Sequence, residues 1–95
     1  MNKKFRVVIF VLVFMFIGVR KVDAKASDIN PSFTDDNFAN CVLETYNKSN
    51  NTQKTSLTDA ELKTIKELYC SYRQIRNIDG FDKLTNVLLF DISYN

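Results

Sequence analysis

Few residues in this 95-residue chain are of a type that does chemistry, and their spacing narrows the possibilities further. There is no histidine, so the commonest general acid/base and metal ligand is missing. Cys41 and Cys70 stand far apart in sequence, without the C-x-x-C spacing of a redox pair and without a histidine to activate either thiol. Two carboxylate pairs, Asp35 with Asp36 and Asp79 with Asp82, are close enough for acid/base work. Each has a simpler reading. The first pair suits the positive end of a helix, and the second suits a turn at Gly80. Asn47, Ser49 and Asn51 alternate as in a calcium loop, but the sixth position is Thr52 rather than Gly and the twelfth is Thr58 rather than Glu. Asn47-Lys-Ser49 and Asn50-Asn-Thr52 fit the N-glycosylation pattern, which matters only in a eukaryotic host. Two glycines, Gly18 and Gly80, are too few and too distant for a phosphate-cradling loop. No catalytic residue, metal site or cofactor is expected.

Charge and length point in the same direction. Six of the 13 basic residues (Lys3, Lys4, Arg6, Arg20, Lys21, Lys25) fall within the first 25 positions, and residues 27–95 carry 7 basic against 10 acidic side chains, net −3. That body lacks the clustered positive charge of a nucleic-acid footprint. Residues 7–19 form an uncharged apolar run of 13 behind a basic start. As a helix it would reach roughly 20 Å, short of a bilayer's hydrocarbon core of about 30 Å. Residues 1–26 are therefore expected to be a secretory signal peptide, cleaved after Ala26 or after Ala24, with Ala-x-Ala favouring the former. An uncleaved anchor, allowed by Arg20 and Lys21, is the alternative. The protein is expected to be secreted, periplasmic or at the cell surface, touching the membrane only through this segment. In an oxidising compartment an even cysteine count makes a Cys41–Cys70 disulfide the default expectation.

The elements follow from local signals. Residues 25–33 read as a polar lead-in without periodicity. Thr34 is placed to cap a helix, with Asp35 and Asp36 in its first turn and Phe38, Cys41, Val42, Thr45 and Tyr46 on one face. Residues 47–56 read as a polar loop. Thr58 and Glu61 have capping-box spacing, with Leu57 and Leu62 placed as a hydrophobic staple. Leu68-Tyr-Cys70 reads as a short strand.

The stretch 62–95 carries a repeat. A shift of 22 positions aligns Leu62 with Leu84, Ile65 with Val87, Leu68 with Phe90, Cys70 with Ile92 and Arg73 with Asn95. The second copy is the leucine-rich-repeat pattern. In that pattern Phe90 and Ile92 point inward from a strand, Asn95 bonds the backbone at the turn, and Ile75, Ile78 and Leu84 fill the back of the coil. The expected class is α+β: a leucine-rich-repeat solenoid start, with an N-terminal helical cap of two short helices (27–61) and about 1.5 repeats with short parallel strands (62–95).

Residues 84–95, preceded by 75–81, resemble the first repeat of bacterial internalin-type leucine-rich-repeat proteins, and residues 33–43 are similar to the helical cap preceding such repeats. The resemblance covers about two-thirds of the chain. It implies an exported protein-binding or adhesion module that is not an enzyme, with a bridge between cap and first strand at Cys41 and Cys70. It also implies a concave face formed by Glu67, Tyr69, Ser71, Leu89, Asp91 and Ser93 that meets a protein partner. Arg73 departs from the family's turn asparagine, as in a degenerate first turn, and only one complete repeat is present. The expectation is therefore a truncated or fragmentary member, with a small stand-alone module and a non-functional remnant as further possibilities. A small secreted enzyme or toxin-like peptide on the same bridged hairpin is the rival reading.

Overall fold

The computed structural model describes residues 23–95, so the expected signal segment lies almost entirely outside the described residues. The fold is mixed α+β: helices α1 (Ala26–Ile29), α2 (Asp36–Asn50) and α3 (Asp59–Leu62), strand β1 (Glu67–Tyr69), a 3-10 turn (Phe81–Lys83) and strand β2 (Leu89–Asp91).

Three local expectations are corrected. Residues 25–33 are not a featureless lead-in, because α1 forms within them. A single helical turn is too short to show periodicity, and tertiary contacts hold this helix. Ala26 and Ile29 are buried, Asp36 Oδ1 accepts the Ala26 amide at 2.7 Å, and the Leu57 amide donates to the Ile29 carbonyl at 2.8 Å. The helical segment thus contains three helices rather than two. Second, Asp35 caps α2, its Oδ1 accepting from the Phe38 amide at 2.8 Å. Thr34 instead donates its hydroxyl toward Asn77 and Asp79. Third, α2 runs on to Asn50, well into the expected loop. The Asn47 side chain secures that end, accepting from the Thr52 hydroxyl and the Lys54 amide and donating to the Lys54 carbonyl. Asn51 closes the helix in the left-handed region, a role asparagine fills at modest cost.

The capping box at α3 forms as expected. The Thr58 hydroxyl accepts from the Glu61 amide, and Glu61 accepts from the Thr58 amide. Lys54, 2.6 Å from Glu61, and the bonds from Thr58 lower this carboxyl to about 2. Leu57 and Leu62 are both buried around the cap.

β1 and β2 pair in parallel, Glu67 with Leu89, Leu68 with Phe90 and Tyr69 with Asp91, at the same offset that aligns the two copies of the repeat. Each strand starts and ends one position earlier than expected, while the pairing continues as backbone bonds from Cys70 to Asp91 (2.7 Å) and from Tyr72 to Ser93 (3.3 Å). Leu68 and Cys70 point inward and are fully buried, as the alternation of a strand requires. Ile75 and Leu84 are buried behind the strands, and Ile78 is partly buried.

The core gathers Ile29 and Phe33, one face of α2, and Leu57, Leu62, Ile65 and Leu68. Each large side chain so buried contributes roughly 1.5–3 kcal/mol. The Cys41–Cys70 disulfide, Cα atoms 6.0 Å apart and both residues fully buried, ties the middle of α2 to the end of β1. On the far side of β2 the core is incompletely covered: Val87, Phe90 and Ile92 are half-buried, and Leu88 is 80% exposed.

Candidate functional site

Because strand side chains alternate, the residues flanking the buried Leu68 and half-buried Phe90 share the outward face of the sheet. Glu67 and Tyr69 are exposed on β1, and Leu89 and Asp91 occupy the paired positions on β2. Ser71 and Ser93 follow on the same alternation, half-buried and exposed. The six positions expected to form a binding face therefore belong to one continuous patch. Tyr69 dominates it at 54% exposed, and Leu89 is 51% exposed.

The polar groups of the patch are organised around the tyrosine. Its hydroxyl donates to Glu67 Oε1 at 3.5 Å. Partial burial and the negative charges of Glu67 and Asp91 push the phenol above its ordinary value. Asp91 Oδ1 accepts from the Ser93 amide (2.9 Å) and hydroxyl (2.7 Å), and these bonds, the amide first, hold its carboxyl below the usual range. Beside Tyr69 a groove of about 320 Å³ runs against α2, lined by Glu44, Lys48, Ser49, Glu67, Tyr69 and Arg73. The Arg73 guanidinium donates to both oxygens of Glu44 at 3.2 Å.

Asn95 is the strongest local sign that residue spacing here has structural meaning. Its Oδ1 accepts the amides of Arg73 (2.8 Å) and Ile75 (3.1 Å), and its Nδ2 donates to the carbonyls of Cys70 and Ile92, both at 2.8 Å, and to Ser93. One side chain thus satisfies backbone groups following both strands, including those at Arg73, where the earlier copy lacks an asparagine. Replacing Asn95 by Ala should cost about 1–2 kcal/mol. Asn95→Asp should cost at least as much, because a carboxylate cannot donate to Cys70 and Ile92. Urea denaturation midpoints test this, and unchanged midpoints for both variants would remove the role.

The carboxylate pairs do not converge on a reacting centre. Asp35 Oδ2 accepts the amides of Arg76 (2.9 Å) and Asn77 (3.4 Å) while Oδ1 caps α2, so this buried side chain fastens the helix to the segment between the two strands. Asp36 holds α1, and Asp79 accepts the Thr34 hydroxyl at 2.7 Å. Burial tends to raise the Asp35 pKa, but the backbone donors Arg76, Phe38, Asn77 and Asn37 together outweigh it and leave it lowered. A carboxyl lowered on folding contributes stability that is present above its unfolded value, near 3.8, and is lost as pH falls through the folded value. Stability should therefore decline below about pH 4, and Asp35→Asn should flatten that decline while lowering the stability at neutral pH by about 1 kcal/mol. An Asp35→Asn profile parallel to the unaltered protein would refute the assignment. The glycosylation-pattern asparagines use their amides internally, Asn47 to Lys54 and Asn50 to Tyr46. Among the described residues no group of three His, Cys, Asp or Glu is placed to hold a metal ion.

One pair lies outside the sequence reading. Tyr72 and Tyr94, each 73% exposed, stack at 4.5 Å with rings 6° from parallel. Both have left-handed backbones (φ 57° and 59°), which bulky residues avoid. Their spacing, equal to the repeat period, is the one signal that could have found them. No protein-family model matches the sequence, and no curated protein matches it.

Proposed function

We propose that this chain is the cap and opening coils of an exported leucine-rich-repeat protein, whose outward sheet face binds a protein partner and performs no catalysis. The observation supporting the reading is the parallel pairing at one constant offset, reinforced by the bonds of Asn95 to both turns. A solenoid needs neighbouring coils to bury each other's faces. Here α2, bridged to β1, covers the front of the first coil, while β2 leaves Val87, Leu88, Phe90 and Ile92 incompletely covered on the other side. A further coil in the same register is the natural cover.

Appending a second copy of residues 74–95 after Asn95 tests this reading. A stacking third coil should raise the unfolding free energy by about 1–3 kcal/mol, through burial of those apolar groups. It should also protect the added segment from proteolysis. Unchanged stability with rapid trimming of the appended segment would overturn the solenoid reading.

Export is the reading of the basic, apolar leader. Cleavage after Ala24 costs the fold less: it removes the bonds between the Ala24 backbone and Asn40, whereas cleavage after Ala26 removes these and also a buried residue whose amide Asp36 accepts. N-terminal sequencing of exported protein should begin at Lys25. A start at Ser27 would contradict the choice.

A further inference from the structure

The charge distribution on the sheet face points to a class of partner. Its six outward positions hold two carboxylates, Glu67 and Asp91, and no cation. Among the described residues neither carboxylate forms an ion pair. The bonds described for them fall on Glu67 Oε1 and Asp91 Oδ1 and come from Tyr69 and Ser93. Among the described residues their other oxygens accept no bond. Tyr69 lies next to both carboxylates, since its hydroxyl reaches Glu67 and its backbone pairs with Asp91. Leu89, opposite Glu67, adds an exposed apolar surface. Two basic residues line the adjoining groove. Arg73 is engaged by Glu44, and Lys48 lies on α2 rather than on the sheet.

An exposed aromatic ring beside two uncompensated carboxylates suits one kind of side chain, with a long apolar stem and a cationic, planar head. Arginine fits all three requirements. Its stem packs on apolar surface, its guanidinium stacks on an aromatic ring, and its donors form a fork that matches carboxylate oxygens. Lysine satisfies the charge but not the fork. We propose that the sheet face docks an extended, arginine-bearing protein segment, with the arginine stem on Tyr69 and Leu89 and the guanidinium shared between Glu67 and Asp91. The proposal rests on reading this face as a binding surface and adds the chemistry of what it binds. Electrostatic complementarity of this kind sets partner choice and association rate more than affinity, so single-site binding should be weak and salt-sensitive.

The test titrates the isotope-labelled full chain, in its oxidised form, with the peptide acetyl-Gly-Arg-Leu-Arg-Gly-amide and with its twins carrying Lys or Glu for Arg. Amide shifts should concentrate at Glu67, Tyr69, Leu89 and Asp91 with the arginine peptide, be smaller with lysine and be absent with glutamate. The combined variant Glu67→Gln and Asp91→Asn should weaken arginine-peptide binding about tenfold and abolish most of its salt dependence. Both substitutions keep the side-chain size, at the exposed Glu67 and at the half-buried Asp91, where asparagine retains an oxygen to accept from Ser93, so folding is preserved and can be verified in the same spectra. Equal responses to the Arg and Glu peptides, or shifts elsewhere on the chain, would overturn the proposal. So would binding that the double variant leaves intact. None of these results bears on whether a third coil stacks on β2, which the duplication of 74–95 decides separately.

Discussion

Replacing both Cys41 and Cys70 by alanine should leave the protein largely unfolded at neutral pH and 37 °C. The bridge closes a segment with a sequence separation of 29. Constraining such a loop in the unfolded chain is worth roughly 3.5 kcal/mol on the chain-entropy model. Both cysteines are completely buried between α2 and β1, so truncation also removes packing. Against this stands a total stability of only about 4–10 kcal/mol for a domain of roughly this size. The bridge is also the one covalent tie between the helical segment and the strands, apart from the chain itself. Circular dichroism with urea titration measures the outcome. The double variant should lose most of its cooperative transition, and a midpoint close to that of the unaltered protein would contradict the account.

Gly80→Ala should be nearly as damaging, although it adds one methyl group. Gly80 has φ +98°, a backbone conformation that side-chain-bearing residues rarely adopt. An added Cβ would lie 2.6 Å from Phe33 Cε1 and 3.0 Å from the Ser32 carbonyl oxygen. The Phe33 ring cannot simply swing aside, because it is 1% exposed and packs edge-on against Phe38 with centroids 5.7 Å apart. Backbone strain of about 1–2 kcal/mol and overpacking of about 1–3 kcal/mol act together, so a loss of about 2–5 kcal/mol is expected. Phe33→Leu in the same background should recover part of that loss by making room. If Gly80→Ala unfolds at the same urea concentration as the unaltered protein, the turn is less constrained than its geometry requires.

What can be read from the residues, and what cannot, follows from the range of the forces involved. The capping box at Thr58 and Glu61 is legible because its reciprocal bonds stay within one helical turn. The strand pairing is legible because the apolar residues at inward positions recur at the same offset that relates the paired strands. Helix α1 is not legible. Its residues lack any helical pattern, and it is held by Asp36 and Leu57, which are remote in sequence from the groups they bond. The cap at Asp35 falls one position from the expected one for a similar reason. Thr34 has the right chemistry, but the amides of Arg76 and Asn77, distant in sequence, recruit the Asp35 carboxylate to that corner. The far end of α2 extends past the expected boundary because its polar residues look like a loop until the Asn47 side chain is seen folding Thr52 and Lys54 back onto the helix. On the outward face Glu67, Tyr69, Leu89 and Asp91 are implied by the leucine-rich-repeat resemblance, and it is the parallel pairing together with strand alternation that brings them side by side. The stacking of Tyr72 on Tyr94 depends on two left-handed residues that no propensity scale favours.

The central claim is that two chain segments one repeat apart lie side by side, run in the same direction and begin a stack. Nuclear Overhauser contacts between the strands of the oxidised protein test it most directly. The account expects backbone contacts linking Glu67 to Leu89, Leu68 to Phe90 and Tyr69 to Asp91, with both numbers rising together. Contacts in which one number rises as the other falls, or no contacts between these segments, would contradict it.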